Sequence, residues 1–170
     1  DYVVVAEVRD GYTANISVEA ANKGTNRLKI TVHLSNAEDF CYEMANKIHT
    51  IFGGTLDYQI VKVAKSFDFL FEMIQLPNNR SQKRLKSIYE IQYDNDTNEI
   101  SYHKICEYRL ETDDWCFNYD IGDKVKELGK FENAKALDIY SNTFKKLAEK
   151  YPMPKKVIKS VYSNVKPADI

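Results

Sequence analysis

Three stretches between residues 87 and 121 alternate aromatic or aliphatic residues with polar ones. If residues 94–97 and 111–114 are turns, these stretches form three neighbouring antiparallel strands that share one apolar face. The apolar pairs in this register are Tyr89–Tyr102, Ile91–Ile100, Leu110–Trp115, Tyr108–Phe117 and Cys106–Tyr119. A slip of one residue would turn every pair to the other face, so the alternation predicts both the sheet and its register.

The other face of this predicted sheet is polar. Its residues are Glu90, Gln92, Ser101, His103, Glu107, Arg109, Asn118 and Asp120. Antiparallel sheets often bury one face and leave the other in water, so we expect the polar face to be exposed. The aromatic residues that we expect to be buried with Leu110 are Tyr108, Trp115 and Phe117. Only Lys104 interrupts the aromatic face, and a platform for stacking nucleic-acid bases would need basic residues around it.

The first part of the chain shows similar alternation. Residues 3–8 are rich in valine, and residues 15–20 and 28–34 alternate apolar with polar side chains. The loop between the last two stretches contains a glycine, which favours a hairpin in which Val18 faces Ile30. We therefore predict three strands before residue 35.

Apolar residues at helical spacing follow this hairpin. Residues 35–38 read Ser-Asn-Ala-Glu, a pattern typical of a capping box, and an apolar stripe then runs from Phe40 to Phe52. Gly53 and the glycine after it favour a stop. We predict a helix over residues 36–52.

The next segment, residues 56–76, fits two structures equally well. The residues that would share one helix face are Ile60, Val63, Ala64, Phe67, Phe71 and Ile74. The residues that would share one strand face are Phe67, Phe69, Phe71 and Met73. We favour a helix for residues 66–75.

Helical spacing returns after the three predicted strands. Residues 123–128 fit a helical turn, and residues 133–151 place an apolar line along one face. Pro152 breaks this helix, and Pro154 is a suitable first residue for a last short helix. The apolar residues of that last helix would be Val157, Ile158, Val161 and Tyr162.

These elements predict a single α+β domain over residues 1–170. A mainly antiparallel sheet of about six strands, with helices packed on one face, would bury all the apolar stripes. The order is βββαα repeated twice, which indicates two halves at residues 1–79 and 80–170.

Charge is segregated along the chain. Residues 87–121 carry 2 basic and 9 acidic side chains, whereas residues 122–170 carry 11 basic and 6 acidic ones. The lysines that we expect to be exposed in the basic tail are Lys145, Lys146, Lys155, Lys156 and Lys159. Together with Asp113 and Asp114 they are our candidate binding residues. We favour neutralisation of the acidic strands by this tail, with an anionic partner as the alternative.

The three cysteines indicate buried, reduced thiols in a cytoplasmic protein. Cys106 and Cys116 fall on opposite faces of the predicted sheet and should not form a disulfide. The chain begins with Asp1 rather than methionine, which leaves a secreted or anchored domain as the alternative. No run approaches the roughly 18 apolar residues of a membrane span.

Motifs for catalysis or cofactors are weak. Residues 94–105 resemble a calcium loop at three positions but lack its glycine and its final glutamate. His103 and Cys106 would lie on opposite faces of one strand, without a second pair to complete a zinc site. Carboxylates near the strands are the remaining candidates for a magnesium site: Glu107, Glu111, Asp113, Asp114 and Asp120. We expect no cofactor.

The sequence therefore favours a non-enzymatic binding or adaptor protein. Its partner would be another macromolecule, most simply a protein or a second copy of this chain. A metal-dependent hydrolase or nuclease that uses the carboxylates is one alternative. A nucleic-acid binder that uses the lysine-rich tail is the other, and the excess of lysine over arginine makes that one weak.

Overall fold

The computed structural model describes residues 3–23, 27–119 and 121–161. Within them the fold is α+β with a mainly antiparallel sheet, as the sequence predicts. The chain divides into two compact units. One unit contains the described residues up to Phe67 with Tyr93–Ile100 and those from Lys159 onward; the other contains Asp68–Gln92 and Ser101–Ile158.

The first unit begins with a helix between two short strands. Strand β1 (Val3–Val5) pairs in parallel with β2 (Leu28–Ile30), and helix α1 (Gly11–Asn22) connects them. The predicted hairpin is therefore wrong, and residues 15–20 are helical. Parallel strands need such a crossover, whereas a hairpin turn joins only antiparallel ones.

A capping box explains why α1 forms. The Asp10 carboxylate accepts a hydrogen bond from the Thr13 amide at 2.8 Å, and the Thr13 hydroxyl accepts one from the Asp10 amide. Ala14, Ser17 and Val18 then face the core at helical spacing. The same residues also alternate, which is why the pattern favoured a strand.

Two further helices complete the core of this unit. Helix α2 (Phe40–Phe52) follows a 3₁₀ turn at Ala37–Asp39 and ends at Gly53, whose φ of 72° is left-handed, so the predicted helix is confirmed. The predicted capping box would make Ser35 the cap, whereas Asn36 takes that position, and its side-chain amide donates to the Asp39 carboxylate instead of accepting a backbone bond. Helix α3 (Leu56–Ser66) packs on α1 and α2.

Within the described residues the main sheet has five strands. They are β3 (Phe69–Leu76), β4 (Asn79–Asp94), β5 (Glu99–Arg109), β6 (Asp114–Phe117) and β7 (Val157–Val161). Their order is β3-β4-β5-β6, and β7 also pairs with β5. The described elements thus do not repeat as βββαα, and β1 and β2 form a separate pair.

Strand β3 corrects the helix predicted for residues 66–75. Helix α3 ends at Ser66, and Phe67 already has extended backbone angles. The strand alternative was right because β3 forms a ladder with β4 from Phe69↔Glu90 to Leu76↔Asn79. The spacing of apolar residues does not show whether a neighbouring strand is available. Pairing with β4 decides between helix and strand here.

The β5–β6 pairing is shifted by two residues from the predicted register. Tyr108 lies opposite Trp115, and Cys106 lies opposite Phe117. The turn occupies residues 110–113 instead of 111–114, with Asp113 in the left-handed region at φ 52°. A shift of two keeps the side chains that pair between β5 and β6 on a shared face, because the strand period is two.

Two predicted aromatic-face residues are consequently misplaced. Leu110 lies in the turn with 44% of its surface exposed, so its predicted burial is wrong. Tyr119 lies beyond the end of β6, and the Cys106–Tyr119 pair does not form. Tyr108 is buried and Trp115 and Phe117 are half-buried. The turn between β4 and β5 is likewise one residue later than predicted, at residues 95–98.

The predicted polar face is not uniformly exposed. Arg109 is exposed, but Glu90 and Ser101 are buried, and Asp120 lies outside the described residues. Strand β5 pairs with β4 on one edge and with β6 and β7 on the other, so it is central in the sheet. Both of its faces contain buried residues, including Lys104.

Helix α4 (Asp123–Lys150) is attached to the sheet at its first residues. The Gly122 amide donates to both carboxylate oxygens of Glu90, at 3.0 and 2.7 Å. A Cβ atom on Gly122 would lie 2.6 Å from a Glu90 oxygen, so a larger residue at this position would displace the Glu90 side chain. A negative charge also suits the amino end of a helix.

The helix bends at Asn133, whose φ and ψ are not helical. The Asn133 side chain accepts a hydrogen bond from the Ala136 amide at 3.0 Å, and a second helical segment starts there, as predicted. Its Phe144 ring contacts Phe117 of β6 edge-on at 5.9 Å between ring centroids. This segment therefore packs on the aromatic face of the sheet.

The last predicted helix is instead strand β7. The Lys104 amide of β5 donates to the Lys156 carbonyl at 3.1 Å, immediately before β7 begins. Valine and isoleucine favour a strand where a neighbour is available. Tyr162, predicted to share that helix, lies outside the described residues.

We expect Asp10→Ala to lower the free energy of unfolding by about 1 kcal/mol, because it removes the cap of α1. Urea denaturation followed by circular dichroism measures this change. Asp96→Ala is the control, since the Asp96 side chain is exposed and forms no hydrogen bond within the described residues. Equal stability of the two variants would contradict a helix starting at residue 11.

Candidate interaction surface

Strand β3 lies at the end of the main sheet. It pairs with β4 on one side, and among the described residues no strand pairs with its other side. An unpaired edge presents a row of backbone N–H and C=O groups to which another strand can bind. With eight residues, β3 is long enough for such pairing.

One face of β3 carries exposed apolar side chains. Phe71 is 62% exposed and Met73 is 57% exposed. Directly opposite them on β4 lie Ile88 and Leu85, both half-buried. Residues directly opposite each other in a ladder share a face, so these four side chains form one patch, which we call the β3 surface.

A bulge displaces part of β4 beside this surface. Gln75 pairs with Lys83 but Leu76 pairs with Asn79, so residues 80–82 have no partner in β3. Arg80 lies in this bulge and has no partner in β3. Lys83 lies opposite Gln75 and is therefore on the same face as Gln75. Both cations are exposed at the end of the hairpin.

The opposite face of the same hairpin is held by an ion pair. Lys86 donates to Glu72 at 2.7 Å, and this hydrogen bond raises the pKa of Lys86. Ser87 lies opposite Glu72 in the ladder and is fully buried. Glu72, the only charged residue of β3, is therefore already neutralised.

The predicted site residue Asp113 lies in a separate cluster. Its carboxylate accepts hydrogen bonds from the Tyr108 hydroxyl and, at 2.8 Å, from Arg84. The Tyr108 bond first, and Arg84 second, hold the pKa of Asp113 below its ordinary value. The same bond raises the pKa of Tyr108. Asp113 thus joins the β5–β6 turn to β4.

Asp114 has different partners. It accepts two hydrogen bonds from Arg109, at 2.8 and 2.6 Å, and one from Thr112. These bonds, Arg109 foremost, lower the pKa of Asp114. Glu107 binds the buried Lys104. Among the described residues, no three His, Cys, Asp or Glu side chains come together as they would around a metal ion.

The predicted tail lysines are exposed, as expected. Lys145 and Lys146 lie on α4, Lys155 and Lys156 lie between α4 and β7, and Lys159 lies on β7. Lys159 binds Glu99 at 2.8 Å and so neutralises one acid of the predicted acidic strands. Glu107, Asp113 and Asp114 bind other cations of the sheet, whereas Glu90 accepts the Gly122 amide.

The three cysteines form no disulfide and are buried, as predicted. In the ladder Cys106 lies opposite Phe117, and Cys116 lies opposite Glu107, so the two cysteines are on opposite faces. Burial raises the pKa of Cys106 to about 11 and also raises that of Cys116. Since a thiolate is the reactive form, these two thiols are poor nucleophiles at neutral pH.

Comparison of the sequence with protein-family models and with curated proteins gives no match. No helix in the part of the chain that the structure describes is long and apolar enough to cross a membrane.

The sequence analysis did not identify the β3 surface. The alternation of Phe67, Phe69, Phe71 and Met73 was the signal, but the same residues also fit a helix face. In a helix, Phe71 would have been assigned to the core. Its exposure depends on β3 being the last strand, which local sequence does not specify.

The lowered pKa of Asp113 predicts a pH dependence. A depressed pKa in the folded state stabilises the fold above about pH 4, and this contribution is lost as the pH falls through the folded value. We expect Asp113 to titrate below 3.8 in an NMR titration. Tyr108→Phe should raise that pKa, whereas Tyr58→Phe, at a residue of α3, should not. An unchanged pKa in Tyr108→Phe would show that the hydrogen bond does not set it.

Proposed function

We propose that this protein is a non-enzymatic binding module that captures an extended segment of another protein by strand addition to β3. The observation that carries this proposal is the exposure of Phe71 and Met73 on one face of a strand with an unpaired edge. Strand addition uses backbone hydrogen bonds for affinity and alternate side chains for specificity.

The edge of β3 has little protection against pairing. Natural edge strands discourage association with charged residues, prolines or very short length. β3 has eight residues, no proline and one charged residue, and that residue binds Lys86. Bulges in β4 at Lys86 and at residues 80–82 interrupt the ladder, whereas β3 itself is continuous.

The β3 surface would receive every second side chain of an added strand. Phenylalanine and methionine are enriched in protein interfaces, and methionine adapts to partners of different shape. Side chains of an added strand that lie beside Phe71 and Met73 would remove part of the most exposed apolar surface of β3 from water.

The alternatives receive less support. Base stacking uses several exposed aromatic rings, and the β3 surface offers one ring, Phe71. Magnesium-dependent hydrolysis would need convergent carboxylates, whereas Asp113 and Asp114 accept hydrogen bonds from different arginines. A second copy of this chain is the remaining occupant, and the experiment below distinguishes it.

Selection of a random peptide display library on the immobilised protein tests the proposal. We expect enrichment of peptides that alternate apolar and polar residues. The double variant Phe71→Thr, Met73→Thr keeps strand propensity and should weaken their binding about tenfold or more, because exposed anchors are removed.

Phe131→Gln is the matched control, since it removes a ring that is 90% exposed on α4. It should bind the selected peptides like the parent. Equal binding by the β3 double variant would contradict the proposal. A dimeric parent and a monomeric double variant in analytical ultracentrifugation would also contradict the proposal, because a second copy of the chain would then occupy the edge. Methylation of every second backbone nitrogen can be placed on the odd or on the even residues of the peptide. Only the set whose amides bond to β3 should abolish binding when it is methylated.

A further inference from the structure

The hairpin of β3 and β4 is strongly basic on its β4 side. Residues 77–86 contain no acidic side chain, and their cations are Arg80, Lys83, Arg84 and Lys86. Two of these four have acidic partners: Arg84 binds Asp113 and Lys86 binds Glu72. Arg80 and Lys83 form no ion pair with any acid in the described part of the chain.

The two unpaired cations lie at the end of the β3 surface. Lys83 is directly opposite Gln75, and Gln75 follows Met73 on the same face. Arg80 lies in the bulge between Lys83 and the hairpin turn. A strand added to the open edge of β3 would therefore run past Phe71 and Met73, and the long side chains of Arg80 and Lys83 on β4 would reach its end across β3.

We infer that the captured segment carries acidic residues beside its alternating apolar residues, and that Arg80 and Lys83 bind them. This inference rests on the proposed function and names the chemistry of its partner. The nearest acids of β3 and β4 do not neutralise these two cations. Glu72 is bound to Lys86, and Glu90 is buried, where it accepts the amide at the start of α4.

The expected gain is modest and depends on salt. An exposed ion pair changes affinity by at most about fivefold, so two pairs together correspond to at most about a thirtyfold change in affinity. Because both cations are exposed, ions in solution screen them. The charges of Arg80 and Lys83 would thus favour acidic segments over other extended segments. The β3 surface would provide most of the affinity.

Three versions of one peptide from the selection test this inference. Its central alternation is kept, and its two end residues on each side are replaced by glutamate, glutamine or lysine. Fluorescence anisotropy in 50 mM salt should give the tightest binding for glutamate and the weakest for lysine, with about tenfold between glutamate and glutamine. In 500 mM salt the difference should nearly vanish.

The double variant Arg80→Glu, Lys83→Glu should reverse this preference and bind the lysine peptide best. Lys130→Glu, Lys135→Glu is the control, because it makes the same change in charge at two exposed lysines of α4 and should keep the parent's preference. Equal binding of the three peptides, with loss in Phe71→Thr, Met73→Thr, would overturn the inference and leave strand addition intact. Reversal by the α4 control would also overturn it, since overall charge would then be responsible. Binding of none of the peptides would contradict strand addition itself.

Discussion

The carboxylate of Glu90 determines where helix α4 begins. It is 1% exposed and accepts the Gly122 amide, so a charged group that is costly to bury is compensated by the amino end of a helix. From this attachment the chain leads to the second segment of α4, whose Phe144 packs on Phe117 of β6. The helix of this unit thus covers the β6 side of the sheet, and Phe71 and Met73 on β3 remain exposed.

Several elements of the fold could be predicted because their signals are local. The helix ending at Gly53 and the helix starting at Asn133 have both an apolar stripe and a clear boundary. The alternation in β5 and β6 placed Cys106, Tyr108, Trp115 and Phe117 on one face, as observed, even though the register was shifted by two. The period of a strand is two, so an error of two residues moves the partners without turning the faces.

The errors arose where one pattern fits two structures. Residues 15–20 alternate and also place Ala14, Ser17 and Val18 on one helix face, and the capping box at Asp10 decides for the helix. The candidate site was missed for a related reason. The sequence shows which residues are charged, but it does not show that Asp113 binds Arg84 while Arg80 and Lys83 have no acidic partner among the described residues. Both facts depend on which strands are neighbours and which strand is last.

Amide hydrogen exchange across residues 69–76, read residue by residue with and without a bound peptide, tests the central claim most directly. In the free protein, amides that bond to β4 should exchange slowly and the alternate amides that face the open edge should exchange fast. A saturating peptide that binds the β3 surface should slow the fast set and leave the slow set unchanged. Uniform protection of all eight residues in the free protein, or a fast set that the peptide does not slow, would contradict strand addition to β3.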